Sequence, residues 1–396
     1  VSSHADMKIL YIHQYFRTPE QGGAIRSYYL AKGMVDYGIS VEMITSYNDR
    51  KPCTEKIDGI TVHYLPVHYD NSFGFLLRIF AYYRFMKMAL NKARQINDID
   101  LCYATSTPLT IGWSAMRIKK ELKVPYFFEV RDLWPEAPVQ MGVIRSRLLK
   151  RFLKYIEKRV YDHADKIVAL SPGIKAMIEK ERPGKIIEII PNMSDIDFFK
   201  AEDKDPALEE IFGVKGKFVI SYFGTLGRAN HLEYLLAAAN ASLERGLPVM
   251  FLIVGDGGEA HRLHYLVKHF QLLNVSFMEF QNKFNLRRVL NVTDAAYVSF
   301  ANRPILQTNS PNKFFDSLAS GKLIITNTKG WVREICENSE CGFYYDPDQP
   351  IEFVNKLIPF LKDKGLLYSF QKRARDLGET RFSKSAQIKK LIQVLN

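Results

Sequence analysis

The chain has 396 residues, more than one ordinary core takes, and a usual domain size of about 100–200 residues predicts two domains. Hydrophobic residues at 47% and charged residues at 25% exclude a disordered chain, and the longest apolar runs, such as residues 248–255 (PVMFLIVG), are too short to cross a bilayer. The formal net charge of +12 calls for phosphate-bearing partners; without a helix-turn-helix, finger or RNA-binding signature, phosphates on small molecules or lipids are expected and nucleic acid is not.

Residues 1–6 (VSSHAD) read as appended ahead of a natural start at Met7, and no signal peptide is recognisable. Cys53, Cys102, Cys336 and Cys341 show neither zinc spacing nor a disulfide framework. A cytoplasmic protein is therefore expected, free or peripheral on the inner face of the membrane. Most of the basic excess lies before Ile190, where 29 Lys and Arg face 20 Asp and Glu.

From Lys8 the run KILYIHQYF predicts a strand, RTPEQGG a loop, and residues 24–37 a helix. Further strands are expected at 40–45, 61–65, 101–104, 126–130, 166–170 and 186–190, with helical segments between several of them. The acidic stretch 195–206 (DIDFFKAEDKDP) reads as a linker. Beyond it the pattern restarts with a strand at 217–222, a glycine-containing loop and a helix at 232–244, followed by strands at 249–254, 275–278, 295–299, 323–326 and 342–345. Strands alternating with helices predict parallel sheets. The expectation is an α/β fold of two Rossmann-like, doubly wound domains facing each other across a cleft: residues 7–195, residues 196–380, and a C-terminal helix at 381–396 that packs back on the first domain.

Four motifs carry chemistry. Gly22-Gly23 stands between the first strand and a helix carrying Arg26, so backbone amides there can approach a phosphate or sugar; two loop glycines also serve simply as a turn. The same choice applies to YFGTLGR (222–228), at the usual position of a diphosphate-cradling loop, and to Gly255-Asp256-Gly257-Gly258. SPNKFFDSLASGK (310–322) is the most informative: after Ser310 and Pro311 a helix begins at Asn312, and Lys313 and Asp316, three apart, share one face near its N-terminus. There Lys313 can neutralise a diphosphate and Asp316 can accept ribose hydroxyls, unless the two form an ordinary ion pair. Arg131 and Asp132 follow a predicted strand, where they either bind substrate or pair with each other, and Glu136 is a further candidate.

In order, GGAIR, SPGI (171–174), PNMSDIDFF (191–199), YFGTLGR, VGDGG and SPNKFFDSLASGK resemble the family 4 GT-B glycosyltransferases over nearly the whole chain from Met7. EVRDLWPE (129–136) together with SPNK is similar to the subgroup of L-fucosamine and other amino-sugar transferases of bacterial surface-polysaccharide pathways. The resemblance implies a metal-independent transferase that retains anomeric configuration, a UDP-sugar donor held by the C-terminal domain, and a glycan or lipid-diphosphate-linked acceptor held by the N-terminal one. No cofactor is implied beyond the donor itself. Asp195-Ile196-Asp197 spells a metal motif but matches the family's strand-to-linker segment.

Carried onto this chain, the donor set is Gly22, Gly23, Gly224, Thr225, Arg228, Asn230, Ser310, Pro311, Asn312, Lys313 and Asp316. The acceptor set is Arg26, Arg131 and Glu136, and Arg131, Asp132 and Lys313 take part in catalysis. Three departures stand out. Thr225 and Asn230 occupy positions where many members carry Arg and Lys, so Arg228 and Lys313 must supply the positive charge. Thr308 replaces the first Glu of a Glu-x7-Glu pair whose second member is Asp316, and Arg131 replaces a common His. The implied mechanism neutralises the diphosphate electrostatically, while domain closure excludes water. A GT-B-like UDP-sugar epimerase and an inactive nucleotide-sugar-binding protein are the rival assignments.

Residues 145–159 (RSRLLKRFLKYIEKR) carry seven Lys and Arg against one Glu beside an apolar stripe, and residues 76–94 are similarly cationic and aromatic. Such helices either pack on their own domain or lie on anionic lipid.

Overall fold

The computed structural model describes residues 7–21, 25–48, 51–70, 73–279 and 282–396. It divides into two compact units, Val1–Pro191 with Gln387–Asn396, and Asn192–Ala386.

In the first unit the described strands are β1 (Lys8–Ile12), β2 (Ser40–Tyr47), β3 (Cys53–Ile57), β4 (Ile60–Pro66), β5 (Leu101–Thr105), β6 (Tyr126–Val130), β7 (Lys166–Ala169) and β8 (Ile187–Ile189). They form one sheet in the order β3-β4-β2-β1-β5-β6-β7-β8. All pairings are parallel except β3 with β4. Every residue of β5 and β6 is buried, as a central strand covered on both faces requires. The unexpected strand is β3, joined to β4 by Asp58-Gly59; both residues have positive φ, 48° and 86°, the geometry of a tight hairpin turn. A second difference concerns β1, which ends at Ile12 and leaves His13 and Gln14 beyond its carboxyl end. The C-terminal residues belong to this unit: Lys166 Nζ donates to the Val394 carbonyl at 2.6 Å, and a Cβ on Gly33 would stand 2.6 Å from Ile388.

The second unit contains β9 (Phe218–Phe223), β10 (Val249–Val254), β11 (Val275–Met278), β12 (Ala295–Val298), β13 (Leu323–Thr326) and β14 (Gly342–Tyr344). Their order is β11-β10-β9-β12-β13-β14, all parallel. Ile220, Tyr222, Phe251, Ile253, Tyr297 and Phe353 lie in its core. Segment 195–199 is not the free linker expected. Phe199 is buried, and Arg375 donates to the carbonyls of Phe199 (2.8 Å) and Ile196 (3.2 Å); its two adjacent phenylalanines give the segment apolar surface that water does not leave exposed.

Each sheet is doubly wound. The strand order reverses at β1, between β2 and β5, and at β9, between β10 and β12, so the carboxyl ends of those strands are where this architecture collects ligands.

Candidate functional site

In the second unit the site is built from the ends of β9 and β10 and from the helix Asn312–Ala319. The two glycine loops interlock. A Cβ on Gly255 would come within 1.9 Å of the Gly224 carbonyl, and one on Gly257 within 2.4 Å of the Leu226 carbonyl. The Gly224 and Leu226 amides donate to the carbonyls of Val254 (3.0 Å) and Asp256 (2.9 Å). The expectation that this loop's amides cradle a diphosphate therefore fails for Gly224 and Leu226, whose N–H groups are committed. What Gly224 supplies is space, since a Cβ there would lie 3.4 Å from Lys313 Nζ.

Helix Asn312–Ala319 is anchored by its aromatic pair. Phe314 and Phe315 are fully buried and pack edge-on or tilted against Trp331 and Phe382, which leaves Lys313 and Asp316 half-buried on the other side. Lys313 Nζ donates to Asn230 Oδ1 at 3.1 Å and sits 4.0 Å above the centroid of the Tyr222 ring. No described carboxylate pairs with it, and burial lowers its pKa to about 7. The Asp316 carbonyl accepts from the Ser320 amide and hydroxyl, but its carboxylate has no hydrogen bond or ion pair with a described residue; burial, opposed by Lys283 and aided to a smaller degree by Asp195, pushes its pKa up to about 7. The Lys313–Asp316 ion pair is thus not formed. A cation and a carboxylate stand three residues apart, each without a counter-ion and each near the midpoint of its titration at neutral pH.

Asn230 is held at both ends of its amide, since Nδ2 donates to the Thr225 carbonyl at 2.9 Å. Its amide thereby holds Lys313 in position. Ser310 is likewise held: its Oγ and carbonyl accept from the Asn192 backbone (3.3 Å) and side chain (2.6 Å), tying the SPNK turn to the PNMSD segment. The Arg228 side chain is 85% exposed and meets Glu259 at 3.2 Å. Thr225 and Asn312 are exposed and Pro311 occupies the helix N-cap. Thr308 Oγ1 donates to the Ile305 carbonyl at 2.7 Å. Asp195 is bound by Lys283 and Lys384, and Asp197 by Lys384 at 3.2 Å; carboxylates so paired are a poor donor set for a cation. Among the described residues no group of three or more His, Cys, Asp and Glu could hold a metal ion.

In the first unit the ends of β1, β5 and β6 assemble a second cluster. The Arg131 amide donates to Ser106 Oγ at 3.0 Å, and Arg131 Nη1 lies 3.3 Å from His13 Nε2. A guanidinium only donates, so His13 Nε2 accepts and its Nδ1–H faces Ser27 Oγ at 2.7 Å. Burial, reinforced by Arg131, holds the His13 pKa well below the usual histidine value and keeps the ring neutral. Gln14, beside it, is fully buried with neither amide atom hydrogen-bonded. Arg131 and Asp132 do not form the pair considered from sequence; the Asp132 side chain is exposed. Glu136 accepts from Gln140 Nε2 at 2.9 Å and lies 3.8 Å from Lys150.

Arg26 departs furthest from expectation. It is 4% exposed; its Nη2 and Nε meet Glu129 Oε2 at 2.9 and 3.2 Å, and it also donates to the carbonyls of Ile190 and Pro191. Glu129 accepts from the Tyr103 hydroxyl at 2.8 Å as well. Burial, the largest single influence, raises the Glu129 pKa, but Arg26, Arg131 and the Tyr103 hydroxyl together outweigh it and the net shift is downward. Arg26 is therefore a structural cation locked under the site, not an acceptor ligand. Gly22 and Gly23 lie outside the described residues.

The sequence reading missed His13, Gln14, Glu129 and Tyr222. The signal for the first two was the polar His-Gln pair directly after an apolar strand; Glu129, a lone acid in the apolar run YFFEV, signalled a buried ion pair.

Residues 21–192 match the family profile "Glycosyl transferase 4-like domain" and residues 204–377 match "Glycosyl transferases group 1". WbjE of Pseudomonas aeruginosa, named a probable glycosyltransferase, is 24% identical over 70% of this chain and 69% of its own length. WcaI of Escherichia coli strain K12, named for glycosyl transfer in colanic acid biosynthesis, is 25% identical over 54% of this chain and 53% of its own. Among solved structures, HepE of Anabaena in complex with UDP and glucose superposes with a TM-score of 0.72 at 18% identity, covering 98% of this chain and 99% of that one. That likeness concerns the fold.

Proposed function

Because the chain belongs to the glycosyltransferases that join a 4-like domain to a group 1 domain, we propose that it moves a sugar, of the N-acetylated amino type, from a UDP-sugar to a glycan or polyprenyl-diphosphate-linked acceptor in bacterial surface-polysaccharide synthesis. Anomeric configuration is retained and no metal is used. The observation that carries the proposal is Lys313, a half-buried ammonium without a carboxylate partner at the ligand-collecting end of a doubly wound sheet. A diphosphate supplies the missing counter-ion and restores the lysine's full charge, which an ion pair within the protein would have cancelled beforehand. Asp316 accepts the ribose hydroxyls, Asn230 and the Tyr222 ring hold Lys313 in register, and Arg228 adds an exposed second cation. In the first unit Arg131, fixed by Ser106 and neutral His13, keeps N–H donors for the acceptor, with Asp132 and Glu136 nearby in sequence.

In the reaction the bond from the anomeric carbon to the diphosphate oxygen breaks while the bond to the acceptor oxygen forms on the same face. The hydroxyl proton passes to the departing diphosphate, so no protein nucleophile is needed. The colanic acid biosynthesis for which WcaI is named and the UDP and glucose bound to HepE support the pathway and the nucleotide of the donor.

The test is UDP release from a panel of UDP-hexoses and UDP-N-acetylhexosamines with EDTA present, against soluble and lipid-linked acceptors, with the product anomer read by NMR. Acceptor-dependent release of UDP and a retained linkage are expected. An inverted linkage, or turnover that requires added divalent metal, contradicts the mechanism. Interconversion of the donor without an acceptor identifies an epimerase, and nucleotide binding without any turnover a binding protein.

A further inference from the structure

Two helices of the first unit, Phe75–Ala93 and Arg147–His163, share a pattern that the fold does not use. Each carries Leu, Phe and Tyr at i, i+4 and i+7, a single helical stripe. In the first helix these are Leu76, Phe80 and Tyr83, exposed by 79, 63 and 55%; in the second, Leu148, Phe152 and Tyr155, exposed by 79, 58 and 54%. The core is served by other stripes: Ala81, Phe85, Ala89 and Ala93 are buried in one helix, Glu157, Val160 and Tyr161 in the other. Both helices pack against the same helix, Thr110–Leu122, so their outward faces lie on one side of the sheet.

The surroundings of these stripes are cationic. Arg84 and Lys87 are exposed on the first helix and Arg147, Arg151, Lys158 and Arg159 on the second. Helix Phe75–Ala93 contains no Asp or Glu; of the two acids of the other, Glu157 is buried against Lys154 and Asp162, in the last turn, is paired with Arg182 at 2.8 Å. Apolar tips with aromatic residues and a rim of Lys and Arg suit the boundary between head groups and acyl chains of an anionic bilayer. A second copy of this face would instead bring like charges together.

We propose that the first unit docks on an anionic lipid bilayer through the paired Leu-Phe-Tyr stripes of these two helices. The inference goes beyond the transferase reading and holds or fails without it, because vesicle binding is measured with no sugar nucleotide present.

The experiment is co-sedimentation of the full chain with phosphatidylcholine vesicles, with and without phosphatidylglycerol, at low and high salt. The circular-dichroism spectrum and melting temperature of every variant serve as the check on folding. Anionic vesicles should bind at least tenfold more tightly than neutral ones. The double substitution Phe80→Ser with Phe152→Ser should remove that binding at an unchanged melting temperature, and Arg147→Gln with Arg151→Gln should weaken it and lower its salt sensitivity. Equal binding to neutral vesicles, full binding by the Phe80→Ser/Phe152→Ser chain, or concentration-dependent self-association abolished by the same pair would overturn the proposal. Should the double serine variant fail to fold, single substitutions Leu76→Ser and Leu148→Ser take its place, with the same two outcomes.

Discussion

Lys313→Ala is expected to lower kcat/KM for the UDP-sugar by about two to three orders of magnitude, the loss typical when one group stabilising a developing oxyanion is removed. The exposed Arg228 is shared with Glu259 and Lys283 is bound to Asp195, so neither of these described cations replaces Lys313 in full. The same residue sets a pH dependence. With its pKa lowered to about 7 by burial, Lys313 loses its proton as the pH rises through that value, and donor affinity falls by up to about tenfold per unit. Asp316, raised to about 7, gives the opposite limb, losing its negative charge as the pH falls. A UDP-sugar diphosphate has no proton to exchange in this range, so a bell centred near neutrality is predicted. Lys313→Arg should flatten the alkaline limb and Asp316→Asn the acidic one. Stability of the ligand-free chain moves the other way: a lysine whose folded pKa lies below its unfolded one makes stability rise with pH between about 7 and 10.5. Lys313→Met should abolish that rise while activity drops, a combination that loss of structure does not produce.

The largest loss of stability is expected from the first unit's buried ion pair. Glu129→Gln leaves Arg26 charged, enclosed and without its carboxylate, at a cost of about 3–5 kcal/mol in urea unfolding. Replacing both partners, as Arg26→Met with Glu129→Leu, should cost less than the single change, since no charge is then stranded. The pH sign follows from the lowered pKa of Glu129. Its contribution is complete above the ordinary glutamate value of about 4.3 and is lost as the pH falls through the still lower folded value. A Glu129→Gln chain as stable as the parent would show that the pair contributes nothing net.

The alternation of buried strands and helices was legible because parallel strands covered on both faces read as short apolar runs; β5, β6 and β10 fall where their patterns put them. The hairpin at Asp58-Gly59 was not anticipated, because β3 is short and polar (CTEKI) and has no apolar alternation to announce it. Lys313 and Asp316 could be found because a helix fixes which residues share a face. Arg26, Asn230 and Ser310 could not be assigned, because whether a polar side chain meets a ligand or another residue depends on neighbours more than a hundred, or some eighty, positions away: Glu129, Lys313 and Asn192. For the same reason sequence left open whether Leu148 and Phe152 face the core or water, since a basic amphipathic helix reads identically in both cases.

Whether Lys313 and its helix form a metal-independent UDP site is decided by calorimetric titration with UDP, GDP, ADP and NAD, each with EDTA present, on the parent chain and on Lys313→Ala. UDP is expected to bind in the presence of the chelator and to bind at least tenfold more weakly to the variant. Binding of NAD alone, UDP binding that requires a divalent metal, or equal UDP affinity in the variant would contradict this expectation.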